Sequence, residues 1–277
     1  MRALRGKFVK KLLTYLAAIT ATVIMFFPVA YIALLSFKPY ASIIMNPLGV
    51  DRLTLSNYIE VLSAPGYSFT QYIVNSVIIS LGSTALALAI AFPAAYSIQR
   101  FKTGSTNLSF YILSLRLLPP IIFAVPLYIL YSMWGLIDTH VGLILLYTTF
   151  NMPLTIFVLM SFIGELPLEL EESALVDGAS RLTVLTRIVF PLTLPGLVAA
   201  SILHFMACWN EFLFALIFTL KNAQTVTVGA SLYITAWQIK WGHIAAAISL
   251  SVTPTIIFIL LVQRKLVIGL TMGALRG

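Results

Sequence analysis

Five of the nine acidic residues of this 277-residue chain, Glu165, Glu169, Glu171, Glu172 and Asp177, fall within one short stretch, flanked on both sides by apolar runs. Carboxylates at that density must lie in water, and their chemistry is charge-assisted hydrogen bonding to Arg or Lys. Beside them stand small residues, Ser173, Ala174 and Gly178, that let another backbone come close. Gly178 directly after Asp177 suits a sharp turn. Glu171, Glu172, Ser173, Ala174, Asp177 and Gly178 therefore form a candidate docking surface. A second set of polar residues is scattered through the apolar runs: Asn75, Ser76, Arg116, Tyr147, Thr148, Asn151, Trp209, Asn210 and Glu211. A charge at mid-bilayer costs about 2.5–3.5 kcal/mol on insertion scales, so Arg116 and Glu211 ask for a reason. They pair across a pathway, or Arg116 snorkels to the nearer interface while Asn210 and Glu211 serve a pathway or bond between helices.

Residue types that carry bond-making chemistry do not converge. His140, His204 and His243 lack ligand spacing, so no metal site is expected. Cys208 is the single cysteine, which excludes an internal disulfide framework and reads as a small packing residue. No G-x-x-x-x-G-K-[ST] phosphate loop occurs; Lys102-Thr103-Gly104-Ser105-Thr106 is a short basic turn that resembles one only superficially. The chain is expected not to be an enzyme.

The elements that position these residues are membrane spans. With 60% hydrophobic and 9% charged residues and a mean hydropathy of +1.00, the chain needs lipid as its solvent. Apolar windows long enough to cross a bilayer appear at 12–37, 72–98, 108–131, 142–163, 188–220 and 244–262. The first has a basic flank like a signal peptide but is longer than a signal core and reads as a retained anchor. Pro191 and Pro195 should kink the start of the fifth span. Residues 37–70, with Pro39, Pro47, Gly49, Asp51, Asn57, Pro65 and Gly66, read as an outer loop with one amphipathic piece at 55–62. Even span number puts both termini on one side. That side collects Arg2, Arg5, Lys7, Lys10, Lys11, Arg100, Lys102, Arg181, Arg187, Arg264, Lys265 and Arg276, against Lys38, Arg52, Lys221 and Lys240 opposite. Twelve against four places both termini and the acidic loop in the cytoplasm. The basic residues thus set orientation, and the charge of +8 does not indicate nucleic acid. The expected fold is an all-α polytopic membrane protein of six transmembrane helices with a short acidic helix on the cytoplasmic side, a single membrane domain over 1–277 with its core at 70–263.

The acidic loop has a further regularity: Glu172-Ser173-Ala174, three residues, Gly178, nine residues, Ile188-Val189-Phe190-Pro191. It resembles the signature loop (EAA, three residues, G, nine residues, I-x-L-P) of the membrane subunits of binding-protein-dependent ABC importers. The departures are Ser173 in place of Ala and Phe190 in place of Leu. Ser36-Phe37-Lys38-Pro39, Leu53 to Tyr58, Asn75-Ser76, Trp209-Asn210-Glu211 and the ending Gly269 to Ala274 are similar to the carbohydrate-importer branch. The resemblance covers nearly the whole chain. It implies the type I ABC importer permease fold and import of a sugar, polyol or glycoside by alternating access across the cytoplasmic membrane of a prokaryote. It also implies partners: a second, different permease subunit, two ATPases that bind ATP and magnesium, and an extracytoplasmic solute-binding protein. This chain itself would bind no cofactor. A sugar route would draw on the hydrogen-bonding groups and aromatic faces of Asn75, Tyr147, Thr148, Asn151, Trp209, Asn210 and Glu211. An ABC importer for another solute shares the loop. A proton- or sodium-coupled carrier would use Glu211 but leaves the acidic loop unexplained.

Overall fold

The computed structural model describes residues 2–63, 68–235 and 237–274, with side chains except those of 2–10, 105, 106, 109 and 263–274. Pro65, Gly66 and Arg276 lie outside the described residues, as do the side chains of Arg2, Arg5, Lys7, Lys10, Ser105, Thr106, Arg264, Lys265 and Gly269 to Ala274. Every regular element among the described residues is helical. The chain divides into two compact units, residues 1–69 with 230–251, and residues 70–229 with 252–277.

The first unit begins with α1 (Arg2–Ser36), whose apolar length from Lys11 to Ser36 qualifies as a span. After it come α2 (Tyr40–Met45) and α3 (Ser56–Ser63), the latter being the expected amphipathic piece. Lys38 organises the segment between them: its ammonium is fully buried and donates to the carbonyls of Asn46, Pro47 and Gly49, with Asp51 at 3.9 Å. Sequence reasoning counted Lys38 as an orientation charge and as part of the Ser36-Phe37-Lys38-Pro39 motif, not as the centre of this segment. Burial of an ammonium is tolerable here because carbonyls replace its water. Asn57 Nδ2 donates to the carbonyls of Ser36 and Lys38, both at 2.9 Å, so α3 is fastened to the end of α1.

The next ten helices lie wholly or mainly in the second unit. They are α4 (Phe69–Phe101), α5 (Ser105–Ser114), α6 (Ala124–Met133), α7 (His140–Gly164), α8 (Glu169–Val176), α9 (Arg181–Val184), α10 (Phe190–Leu192), α11 (Leu194–Trp209), α12 (Leu213–Phe218) and α13 (Val226–Ser231). The last helix, α14 (Trp241–Ala274), begins in the first unit and ends in the second. Among the described residues four helices are long and apolar enough to cross a membrane, or up to six if each of two bent pairs is one span.

The bends are where the sequence expectation needs correction. The third window was read as one continuous span, but α5 and α6 meet at 86° across 3-10 turns at Leu115–Leu117 and Pro120–Phe123. Leu118 and Pro119 each precede a proline and both take extended backbone, ψ 126° and 124°, because the following ring excludes the helical region. The fifth span bends by 73° at Thr193, where a kink was expected from Pro191 and Pro195. Pro191 has no N–H to bond the preceding turn, and the ladder widens to a π-helix at Leu185–Val189. The same span is broken again between Trp209 and Leu213.

Candidate functional site

The acidic helix α8 is held from inside. Its Glu171 is only 3% exposed, and Arg100 Nε at the end of α4 donates to Glu171 Oε1 at 2.6 Å. Tyr96 Oη donates to Oε2 at 2.8 Å, and Arg100 also donates to the Leu166 carbonyl at 2.9 Å. Of the six docking candidates Glu171 is thus turned inward, away from any partner, and positions the helix. Glu172, Ser173, Asp177 and Gly178 face solvent, while Ala174 is half-buried against the core. Gly178 closes the helix at φ +85°, with its N–H on Leu175 and the Ala179 N–H on Ala174. That pair of bonds is a Schellman cap, which needs the left-handed conformation glycine adopts freely. Sequence reasoning missed Arg100 and Tyr96, which lie 71 and 75 residues from their partner. It also missed Val176, 87% exposed at the tip of α8.

A second site forms where two broken spans meet. Arg116 sits in the break between α5 and α6, and Glu211 in the break between α11 and α12. Both line one half-open cavity of about 210 Å³, together with Tyr147, Phe150, Asn151 and Phe214. Glu211 ends up there because its carboxylate accepts the first N–H groups of α12, Phe214 at 2.8 Å and Ala215 at 3.1 Å. Asn151 spends its amide hydrogens on the Tyr147 carbonyl (3.0 Å) and on Cys208 Sγ (3.8 Å). The buried Tyr147 hydroxyl meets no hydrogen-bond partner; Glu211 bears on it through space, short of bonding geometry. Among the described residues Arg116 has no ion pair. Trp209 and Asn210 do not line the cavity: Trp209 stacks on Phe205 at 5.5 Å, and Asn210 Nδ2 bonds back to the Met206 carbonyl.

Behind the cavity lies a closed polar cluster. His204 bonds Ser83 Oγ through Nε2 and Thr155 Oγ1 through Nδ1, each at 2.9 Å, and Ser83 also meets Thr148 at 3.1 Å and Cys208 Sγ at 3.5 Å. Thr148 and Cys208 therefore belong to a lock between α4, α7 and α11. Asn75 is engaged elsewhere, at the other end of α4. Its amide donates to the carbonyls of Asn222 and Gln224, and its oxygen accepts from Gln71 and meets His140 Nε2 at 2.8 Å. Ser76 accepts the Val226 N–H. The same loop is gathered by Asp138, whose carboxylate accepts the N–H groups of Leu220, Lys221, Asn222 and Ala223. Burial works to raise the Asp138 pKa, but those backbone donors outweigh it and hold the carboxyl below its ordinary value.

These features define the class: the fold is that of the type I ABC importer permeases. A permease chain of a bacterial alginate importer superposes with TM-score 0.72 at 18% identity, covering 94% of this chain and 97% of that one. A chain of the MetNI methionine transporter superposes with TM-score 0.61 at 17% identity, covering 75% and 99%. Residues 87–267 match the family described as binding-protein-dependent transport system inner membrane component, and the chain belongs to that family. It is 36% identical to the trehalose/maltose transport system permease protein MalG of Thermococcus litoralis, over 99% of this chain and 100% of that one. It is also 36% identical to the trehalose transport system permease protein SugB of Mycobacterium tuberculosis, over 95% and 98%. As a member it is a multi-pass inner-membrane component of an ABC importer that works with ATPase and binding-protein partners. It is not itself an enzyme.

Proposed function

We propose that this chain is the permease of a carbohydrate importer, passing a sugar, polyol or glycoside across the cytoplasmic membrane by alternating access. What carries this reading is likeness along the entire chain to permeases named for trehalose and maltose. Both termini and α8 lie in the cytoplasm, on the twelve-to-four division of basic residues. All 277 residues act as one membrane domain, and the partner across the pathway is a second, different permease. ATP and magnesium are bound by two ATPases beneath them.

In this reading α8 is the coupling helix. The inward Glu171 fixes its pose, and the outward Glu172 pairs with a basic residue in a groove of the ATPase. Ser173, Ala174, Asp177 and Gly178 let the groove wall come close, and exposed Val176 supplies apolar area. The test is sugar-stimulated ATPase activity in lipid nanodiscs, with the copurifying ATPase, the cognate binding protein, and a panel of trehalose, maltose and polyols. Stimulation by one of these, reduced at least about ten-fold by Glu172→Lys with the chain still inserted, is expected. Full sugar uptake by Glu172→Lys would sink the coupling role, and silence across the panel would sink the carbohydrate reading.

A further inference from the structure

The loop that follows α2 is built inside out. Its carbonyls at Asn46, Pro47 and Gly49 converge on the buried Lys38 ammonium, which leaves the outside of the loop to side chains. Those side chains are apolar: Met45 is 87% exposed, Leu48 69% and Val50 66%, with Ile44 and Leu53 exposed beside them. Polar groups of the same stretch turn back on it. Asn46 Oδ1 accepts the Gly49 N–H at 3.0 Å, and Asp51 faces Lys38 at 3.9 Å. Arg52 is the exception, exposed and without an ion pair among the described residues. In water such a loop is unfavourable, since water would solvate the three carbonyls and the ammonium unaided and would be left against five apolar side chains. Where water is scarce it is what an irregular backbone requires, because each carbonyl must then find its donor inside the protein. The loop is also held at the right level. Lys38 stands two residues beyond Ser36, where the span of α1 ends, and the Thr54 N–H returns to the Phe37 carbonyl at 2.6 Å.

We propose that residues 44–53 form a membrane-docking loop, whose apolar tip at Met45, Leu48 and Val50 enters the headgroup–acyl boundary of the bilayer beside the end of α1. Lys38 replaces the water that the backbone of the tip gives up, and Arg52 at the margin pairs with lipid phosphate. The partner is the lipid surface rather than another chain. Every side chain of α1 over 11–30 is exposed, and the loop continues that exposed apolar character past the end of the span. A docking face for a soluble protein carries polar groups that pair across it, whereas Asn46 Oδ1 and Asp51 are spent on the loop itself. The docking needs only the membrane location of the chain and is independent of the solute carried.

The test uses the complete transporter in lipid nanodiscs with a nitroxide label at Leu48→Cys or Val50→Cys, the single native cysteine, Cys208, being buried. The unsubstituted transporter, labelled alike, supplies the background. Collisions of the label with oxygen, which concentrates in lipid, are compared with its collisions with a water-soluble nickel chelate. For a tip about 5–10 Å into the boundary, oxygen collisions should exceed nickel collisions at least about five-fold at both positions. Frequent nickel collisions would place the tip in water and overturn the docking. Rarity of both, with an immobilised nitroxide, would place it under another protein chain and overturn the docking equally. Lys38→Met removes the donor for three carbonyls and should lower the oxygen-to-nickel ratio at least about three-fold. An unchanged ratio with the chain inserted would overturn the part given to Lys38; should that variant fail to insert, the two labelled positions decide by themselves.

Discussion

The His204 cluster and the Arg116–Glu211 cavity are joined by one contact, Asn151 Nδ2 to Cys208 Sγ, yet they are built on opposite rules. In the first, both ring nitrogens of His204 are bonded, Ser83 meets three side chains, and every group lies within the packed wall of α4, α7 and α11. In the second, a guanidinium lacks an ion pair among the described residues and a buried phenol has no partner. A closed polar network fixes helices against one another, because separating them would orphan several groups at once. An open one leaves groups without a partner inside the protein and fixes less. The contrast separates polar residues that lock helices together from those that do not, a distinction invisible in residue type.

That contrast can be broken most severely through the paired and unpaired arginines. Arg100→Ala leaves the Glu171 carboxylate buried without its cation and should destabilise the solubilised protein by about 3–5 kcal/mol. Glu171→Ala in the same chain should recover much of that loss in a thermal-unfolding cycle. Arg116→Ala, by comparison, should leave the melting temperature nearly unchanged. Next, His204→Leu strips Ser83 and Thr155 of a partner and should cost about 1–3 kcal/mol, read as a lowered melting temperature. A smaller effect is expected at Asp138. Its folded pKa is depressed, so its contribution is complete above the ordinary Asp value of about 3.9 and is lost as pH falls through the folded value. Asp138→Asn should lower stability at pH 7 and flatten that acid limb, measured by scanning fluorimetry between pH 7 and 3. Tyr147→Phe, finally, deletes a buried hydroxyl without a partner and should leave the melting temperature unchanged or raise it. A melting temperature that fell with Tyr147→Phe as far as with His204→Leu would dissolve the distinction.

Much of the architecture was legible because spans announce themselves through sustained hydropathy and their kinks through proline. α4 and α7 run within three residues of the windows read for them. The Leu118-Pro119-Pro120 break was legible in principle, since stacked pre-proline residues cannot continue a helix, but a purely apolar window hides it. The break after Trp209 carries no proline or glycine. It depends on the Glu211 carboxylate taking over the N–H groups of the next helix, a choice made by tertiary surroundings. Within the acidic loop, spacing picked out a candidate surface but could not tell Glu171 from its neighbour Glu172. Which of the two turns inward is decided by Arg100, far away in sequence. Among the polar residues in spans, Tyr147, Asn151 and Glu211 come together, while Asn75, Trp209 and Asn210 are held by other contacts. Each is a plausible ligand group by composition, and only the packing of α7 against α11 sorts them.

One consequence belongs to α4. Its 33 residues make a rod about 50 Å long at 1.5 Å per residue, pinned at both tips. Arg100 grips Glu171 at one tip, and Asn75 holds the carbonyls of Asn222 and Gln224 near the other. Such a rod acts as a lever: a tilt of about five degrees at the α8 end would carry the far tip through about 4 Å. A movement of the short acidic helix would thereby be passed along α4 to the loop at its other end.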